Sequence, residues 1–222
     1  KMTELSPADR REVFRYMGMR YDENDIHMQK LADECERKLL KAVSPKYLYR
    51  VLPVSVTEKG VSCGEVFLEG KDIAAHLQGC KQAVIFCATL SAGADLAIRQ
   101  ASALDVLSGL MTDAIANALV EQLCDTAERE MLSQFPDMFP TWRFSPGYGD
   151  LPLTVQEPLL QLLNAAKRLG VTLSESSLLI PTKTVTAIIG LSDRPVPKGK
   201  KGCAVCNLSA SCPYRVKGEH CS

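Results

Sequence analysis

Arg143-Phe144-Ser145-Pro146-Gly147-Tyr148 joins two stretches of helical pattern, and the reading of these six residues decides which fold the rest of the chain is read into. An arginine guanidinium presents a planar fork of donors matched to a carboxylate. Proline fixes φ, while glycine tolerates unusual backbone angles and lets a ligand approach the main chain. Tyrosine adds an aromatic face with a polar tip. Together they can cradle a small zwitterion that carries a carboxylate and an aromatic ring. The same residues also make an ordinary Pro-Gly turn whose arginine meets a surface carboxylate. Their neighbours choose between the two.

Working upstream, Asp105 to about Ser133 is the longest helical pattern, with Val106, Leu107, Leu110, Ile115, Leu119 and Leu123 at core spacings. Phe135 to Trp142 is irregular chain. Before the long helix, Gly93-Ala94-Asp95 opens a helix toward Ala103, and Gln82 to Leu90 is an almost continuous apolar run, as in a buried strand. Lys71 to Gln78 is a short helix. Tyr47 to Val56 and Val61 to Leu68 are strands joined by a turn at Lys59-Gly60. Ser6-Pro7 starts a first helix, with Ser6 as N-cap, and a second runs from about Asp25 to Ala42 with Ile26, Leu31, Leu39 and Leu40 on its apolar side. Downstream, Thr154 to Leu169 is a helix stopped by Gly170. Thr172 to Ile180 and Thr184 to Gly190 make a final strand pair. Helices and strands that do not alternate regularly predict an α+β domain rather than repeated βαβ units.

Lys plus Arg and Asp plus Glu are balanced at 26 each, so no global charge draws the chain to nucleic acid. No apolar run approaches the roughly 20 residues that cross a bilayer, and Lys1-Met2-Thr3-Glu4 lacks the apolar core of a signal peptide, which points to the cytoplasm. Nine cysteines are unevenly placed. Cys35, Cys63, Cys80, Cys87 and Cys124 sit in apolar or amphipathic stretches, as small buried hydrophobes do. The remaining four crowd the end of the chain, and an odd total argues against a disulfide framework.

The segment from Arg143 to Tyr148 resembles the Arg-x-x-x-Gly-Tyr signature of the activation domain of vitamin B12-dependent methionine synthase. After the next helix, Gly170-Val171-Thr172-Leu173-Ser174-Glu175-Ser176 is similar to that family's Gly-x-x-Leu-Thr-Glu-Ser. Pro181-Thr182-Lys183-Thr184-Val185-Thr186 is similar to its Pro-x-x-Ser-Val-Ser hairpin. The order and spacing hold over about eighty residues, and residues 1–104 fit a small stand-alone form of the domain better than the full-length enzyme. Two departures stand out. Where the family has Ser-Lys-Tyr after the last hairpin, this chain has Gly190-Leu191-Ser192-Asp193, and the family's N-terminal aspartate contact has no counterpart.

The resemblance implies a curved, mainly antiparallel sheet flanked by helices, with a helical N-terminal portion over residues 1–45 of a domain spanning 1–191. It implies binding of S-adenosylmethionine and action on a cobalamin held by a cobalamin-dependent methyltransferase or corrinoid protein. A methyl group and one electron, from a donor such as flavodoxin or ferredoxin, would return cob(II)alamin to methylcobalamin, so the chain would be the methyltransferase component. Arg143 would pair with the ligand carboxylate, and Ser145, Pro146 and Gly147 would offer backbone. Tyr148 would flank the sulfonium and its methyl as the catalytic contact. Glu128 is the candidate anion near the sulfonium, with a solvated helix face as the plain alternative. Glu175 caps or pairs locally, and Lys183 replaces a small residue and can equally be an exposed hairpin charge.

A Pro, Gly and Lys linker over 192–201 leads to a Cys-rich tail over 202–222. There Cys203-x2-Cys206-x5-Cys212-x8-Cys221 supplies four soft ligands for zinc or an iron–sulfur cluster. Cys212-Pro213 resembles the Cys-Pro of bacterial ferredoxins, zinc would make a structural knuckle, and His220 can stand in for Cys221. A competing function is a non-catalytic metal-binding adaptor that docks on a corrinoid protein and controls its conformation or electron delivery. A third is a Cys-rich redox protein with no methyl donor.

Overall fold

The computed structural model describes residues 4–196; the four tail cysteines, His220 and the second half of the linker lie outside them. Its elements, in chain order, are α1 (Arg10–Tyr16), α2 (Ile26–Ala42), β1 (Lys46–Thr57), β2 (Gly60–Cys63), β3 (Val66–Glu69), α3 (Lys71–His76) and β4 (Gln82–Thr89). Then come α4 (Ala92–Leu104), α5 (Val106–Leu132), β5 (Phe139–Pro140), α6 (Gln156–Leu163), α7 (Ala165–Leu169), β6 (Thr172–Leu173), β7 (Leu179–Ile180) and β8 (Thr184–Ser192). Among the described residues, seven helices accompany a six-stranded, mainly antiparallel sheet in the order β3-β2-β1-β4-β8-β5. The α+β expectation holds.

Two compact units divide these residues. The first takes 4–50, 86–136 and 156–186, and the second takes 51–85, 137–155 and 187–196. In the first, α5 is the helix on which α1, α2 and α4 pack. Met111, Ile115, Leu119, Leu123 and Met131 of α5 are fully buried. Its start is set locally, because the Asp105 carboxylate accepts the Ser108 amide at 2.8 Å and the Ser108 hydroxyl at 2.6 Å. Both bonds favour the ionised form and hold Asp105 below its ordinary pKa. The same logic places α2, where the Asp25 side chain accepts from Met28 N at 3.0 Å.

Several expectations are corrected. The first helix begins later than Ser6-Pro7: Asp9 caps α1, since its carboxylate accepts from Arg11 N, while the amides of Ser6 and Ala8 go to Gln122 and Glu36. The apolar face of α2 is Met28, Ala32, Cys35 and Leu39, and Ile26 is 66% exposed. Val106 and Leu110 are exposed as well, while buried Gly109 of the same turns is the residue that faces Ser102 of α4. Val61 to Leu68 is not one strand but the hairpin β2–β3, with Gly64 at φ 58° in the turn. Thr154 to Leu169 breaks into α6 and α7 at Asn164, which takes a left-handed conformation. Thr172 to Ile180 folds on itself as β6–β7, and β8 instead joins the large sheet.

Candidate functional site

Every residue from Thr141 to Asp150 belongs to the second unit. The segment enters along β8: Thr141 N donates to Gly190 O at 2.9 Å, and Gly190 N returns a bond to Thr141 Oγ1 at 2.8 Å. Phe144 and Ile188 exchange both backbone bonds at 2.9 Å. This pairing buries Phe144 while Trp142, Arg143, Ser145 and Pro146 stay partly accessible. The chain then leaves the sheet. Tyr148 N donates to Ser145 O at 3.1 Å, Gly147 N to Leu151 O at 2.9 Å and Leu151 N to Tyr148 O at 3.0 Å. Gly147 has φ 95°, a conformation that side chains rarely adopt.

These bonds change what the loop can offer. Proline has no N–H, and the amides of Gly147 and Tyr148 are engaged within the turn. Among the described residues, the carbonyls of Pro146 and Gly147 accept no hydrogen bond. The tip therefore presents acceptors, three and four residues after the half-buried Arg143.

Beneath the tip lies an aromatic stack that the sequence alone did not single out. His76, at the end of α3, meets Trp142 with ring centroids 4.7 Å apart and Phe144 at 4.9 Å. Trp142 and Phe144 are 5.2 Å apart, and each meets Tyr148 edge-on at 6.1 Å. Such tilted and edge-to-face pairs suit the quadrupoles of the rings. The Tyr148 ring, 57% exposed, is the outer member. His76 Nε2 is also hydrogen-bonded to Thr141 Oγ1 at 2.8 Å.

The far end of the loop is fixed by a carboxylate exchange. Asp150 accepts the amides of Lys71, at 2.6 Å, and of Asp72, at 3.0 Å, and its own amide donates to Asp72 at 3.1 Å. Gly70, the N-cap residue of α3, has no side chain to do this. A cap supplied from so far along the chain leaves no local sequence signal.

The other residues read from sequence fall elsewhere. Glu128 is half-buried on α5, in the first unit. Glu175 is exposed at the tip of β6–β7, on an open cleft of about 710 Å³ that Glu157, Asn164 and Ser177 also line. The local closing bonds there come from Ser174, whose amide and hydroxyl both meet Leu178. Lys183 is not an exposed hairpin charge. It is 9% exposed, with Nζ 2.7 Å from Asp113 and 2.8 Å from Asn117 Oδ1. Cys35, Cys63, Cys80, Cys87 and Cys124 are buried and outside any disulfide, and desolvation pushes Cys63 and Cys87 up to about 12, which keeps those two as inert thiols. Among the described residues no group of three or more His, Cys, Asp or Glu could hold a metal ion, and no helix is long and apolar enough to cross a membrane.

No sequence-family model matches this chain, and comparison with curated proteins yields no relative. A solved structure does match: the crystal structure of the MetH reactivation domain bound to AdoHcy, with a TM-score of 0.64 over 96% of this chain and 82% of that one. Identity is 16%, so what the two chains share is the fold.

Proposed function

We propose that this chain binds S-adenosylmethionine at the Arg143–Tyr148 loop and supports reductive remethylation of cob(II)alamin on a partner cobalamin-dependent methyltransferase or corrinoid protein. The observation that carries the reading is the loop tip: two carbonyls that accept no hydrogen bond among the described residues, and an exposed tyrosine that meets Trp142 and Phe144 at ring edges. A methionine-type zwitterion needs a cation for its carboxylate and acceptors for its ammonium group, and Arg143 and the tip carbonyls are assigned those two roles. The likeness in fold to an AdoHcy-bound reactivation domain supports the same choice.

In this reading Arg143 pairs with the carboxylate, and the carbonyls of Pro146 and Gly147 accept from the ammonium. Ser145 shapes the turn through its carbonyl bond to Tyr148 N. Tyr148 turns an aromatic face to the sulfonium, a cation–π arrangement that also orients the methyl group. The sulfonium supplies the methyl group when the ligand is bound, and the chain's residues bind and orient it. Cys203, Cys206, Cys212 and Cys221 hold zinc or an iron–sulfur cluster, and flavodoxin or ferredoxin delivers the electron.

A second reading has one observation in its favour. Gly190-Leu191-Ser192, which stands where a ligand-side tyrosine would be expected, is buried within β8, and Leu191 pairs with Pro140 of β5. A chain that lacks that contact would serve as a metal-tailed adaptor that docks on a corrinoid protein without transferring a methyl group.

Calorimetric titration of the full chain with S-adenosylmethionine separates the two. Saturable binding is expected, with Kd raised about 10- to 100-fold in Arg143→Ala, the loss of one charge-assisted pair. Binding that Arg143→Ala leaves unchanged sinks the assignment. Methylcobalamin appearing on a partner's corrinoid, followed by absorbance with a reductant present, distinguishes methyl transfer from docking alone.

A further inference from the structure

Helix α3 touches the candidate loop at both of its ends, by two unrelated kinds of contact. At its start, the Asp150 carboxylate caps the helix and the Asp72 carboxylate takes the Asp150 amide, which closes a reciprocal clamp. Gly149 belongs to the same clamp, because a Cβ there would stand 2.2 Å from Asp72 Oδ2. At its last turn, His76 lays its ring on Trp142 and Phe144 and ties Thr141 through Nε2. Between these two anchors lie Arg143 and the Ser145–Tyr148 turn. The turn's own bonds are short-range, and its outer ring is held only at ring edges. Six residues of helix carry little stability of their own, and α3 is held by its buried Ile73 and Ala74, which lets it support the loop.

We propose that α3 is the splint of this loop, with His76 and Asp150 as positioning residues that fix Trp142, Arg143 and Tyr148 without touching a ligand. The predicted effect on ligand affinity rests on the S-adenosylmethionine reading; the effect on the loop does not. Preorganisation is the physical link, since a loop already held in its binding geometry loses less entropy when a ligand orders it.

Trp142 is the single tryptophan of the chain, which makes the loop spectroscopically visible. The test uses the full chain and its Asp150→Ala, His76→Ala and His76→Gln variants, with folding checked by far-ultraviolet circular dichroism. Asp150→Ala is the decisive variant because it acts from the opposite end of α3 to the ring stack. Acrylamide quenching of Trp142 is expected to increase about two-fold in Asp150→Ala and His76→Ala. The Kd for S-adenosylhomocysteine is expected to rise about ten-fold in both. His76→Gln, which can keep the bond to Thr141, is expected to fall between His76→Ala and the parent, and it stands in if His76→Ala does not fold. Unchanged quenching in Asp150→Ala overturns the splint, whether or not thermal stability drops. A parent chain that does not bind S-adenosylhomocysteine, with quenching still raised in Asp150→Ala, sinks the ligand reading and leaves the splint standing.

Discussion

Two proline-containing turns of this chain, Ser145–Tyr148 and Pro181–Lys183, look alike as sequence and end in opposite states. The second is tied down by its side chains within the first unit. Thr182 donates its amide, at 3.0 Å, and its hydroxyl, at 2.6 Å, to Asp95 of α4. Lys183 reaches Asp113 and Asn117 of α5, and its carbonyl accepts from Leu90 N at 3.0 Å. The Ser145–Tyr148 turn is held firmly where it enters and leaves, through Thr141, Phe144 and Asp150, while its tip is exposed. A turn whose side chains reach two helices is used to tie those helices to the strand that follows it. A turn fastened at both ends with a bare tip has capacity left for something outside the chain.

The contrast is sharpest in stability. Lys183→Ala removes a buried cation from between Asp113 and Asn117. It should lower unfolding stability in urea by about 2 kcal/mol, below the full penalty for a broken buried pair because half-exposed Asp113 can be hydrated. Binding at the Arg143–Tyr148 loop should be unaffected by this change. A loss of affinity as large as the loss of stability would break the division between the two turns.

Asp95→Ala tests the other clamp on the same turn. The bonds from Thr182 are charge-assisted but solvent-exposed, so the expected cost is about 1 kcal/mol by the same urea measurement. Combined with Lys183→Ala, the two should add to less than their sum, since each frees the turn that the other holds.

What the sequence disclosed divides along the same line. Helix starts set by a neighbouring side chain were legible: Asp25 and Asp105 each cap a helix from one residue before it. The turn at Pro146-Gly147 was legible because proline and glycine act through their own backbone chemistry. Features made by residues far apart in the chain were not. Glu36 draws the Ala8 amide away from a helix that Ser6-Pro7 would have begun. Asp150 caps α3 from 79 residues away, and His76 enters the aromatic stack only through the fold. Periodicity marked the length of α5 but not how far its neighbours cover it, so Val106 and Leu110 were read as core although they are exposed. The broken helix at Asn164 depends on one residue in a left-handed conformation, which a helical pattern does not reveal.

The smallest expected change in stability comes from a residue expected to matter directly for binding. Tyr148 is 57% exposed, and its ring meets Phe144 and Trp142 only at its edges, 6.1 Å between centroids. Tyr148→Ala therefore removes little buried area, and about 0.5 kcal/mol of unfolding stability should be lost. If the tip is a ligand surface, the same substitution should weaken S-adenosylmethionine binding about ten-fold or more by calorimetry, a change of about 1.4 kcal/mol. A core residue shows the reverse ranking, with stability falling and any binding loss following from unfolding. A Tyr148→Ala chain that is destabilised by more than about 2 kcal/mol while its Kd holds would place Tyr148 with Lys183, as a structural residue whose exposure misleads.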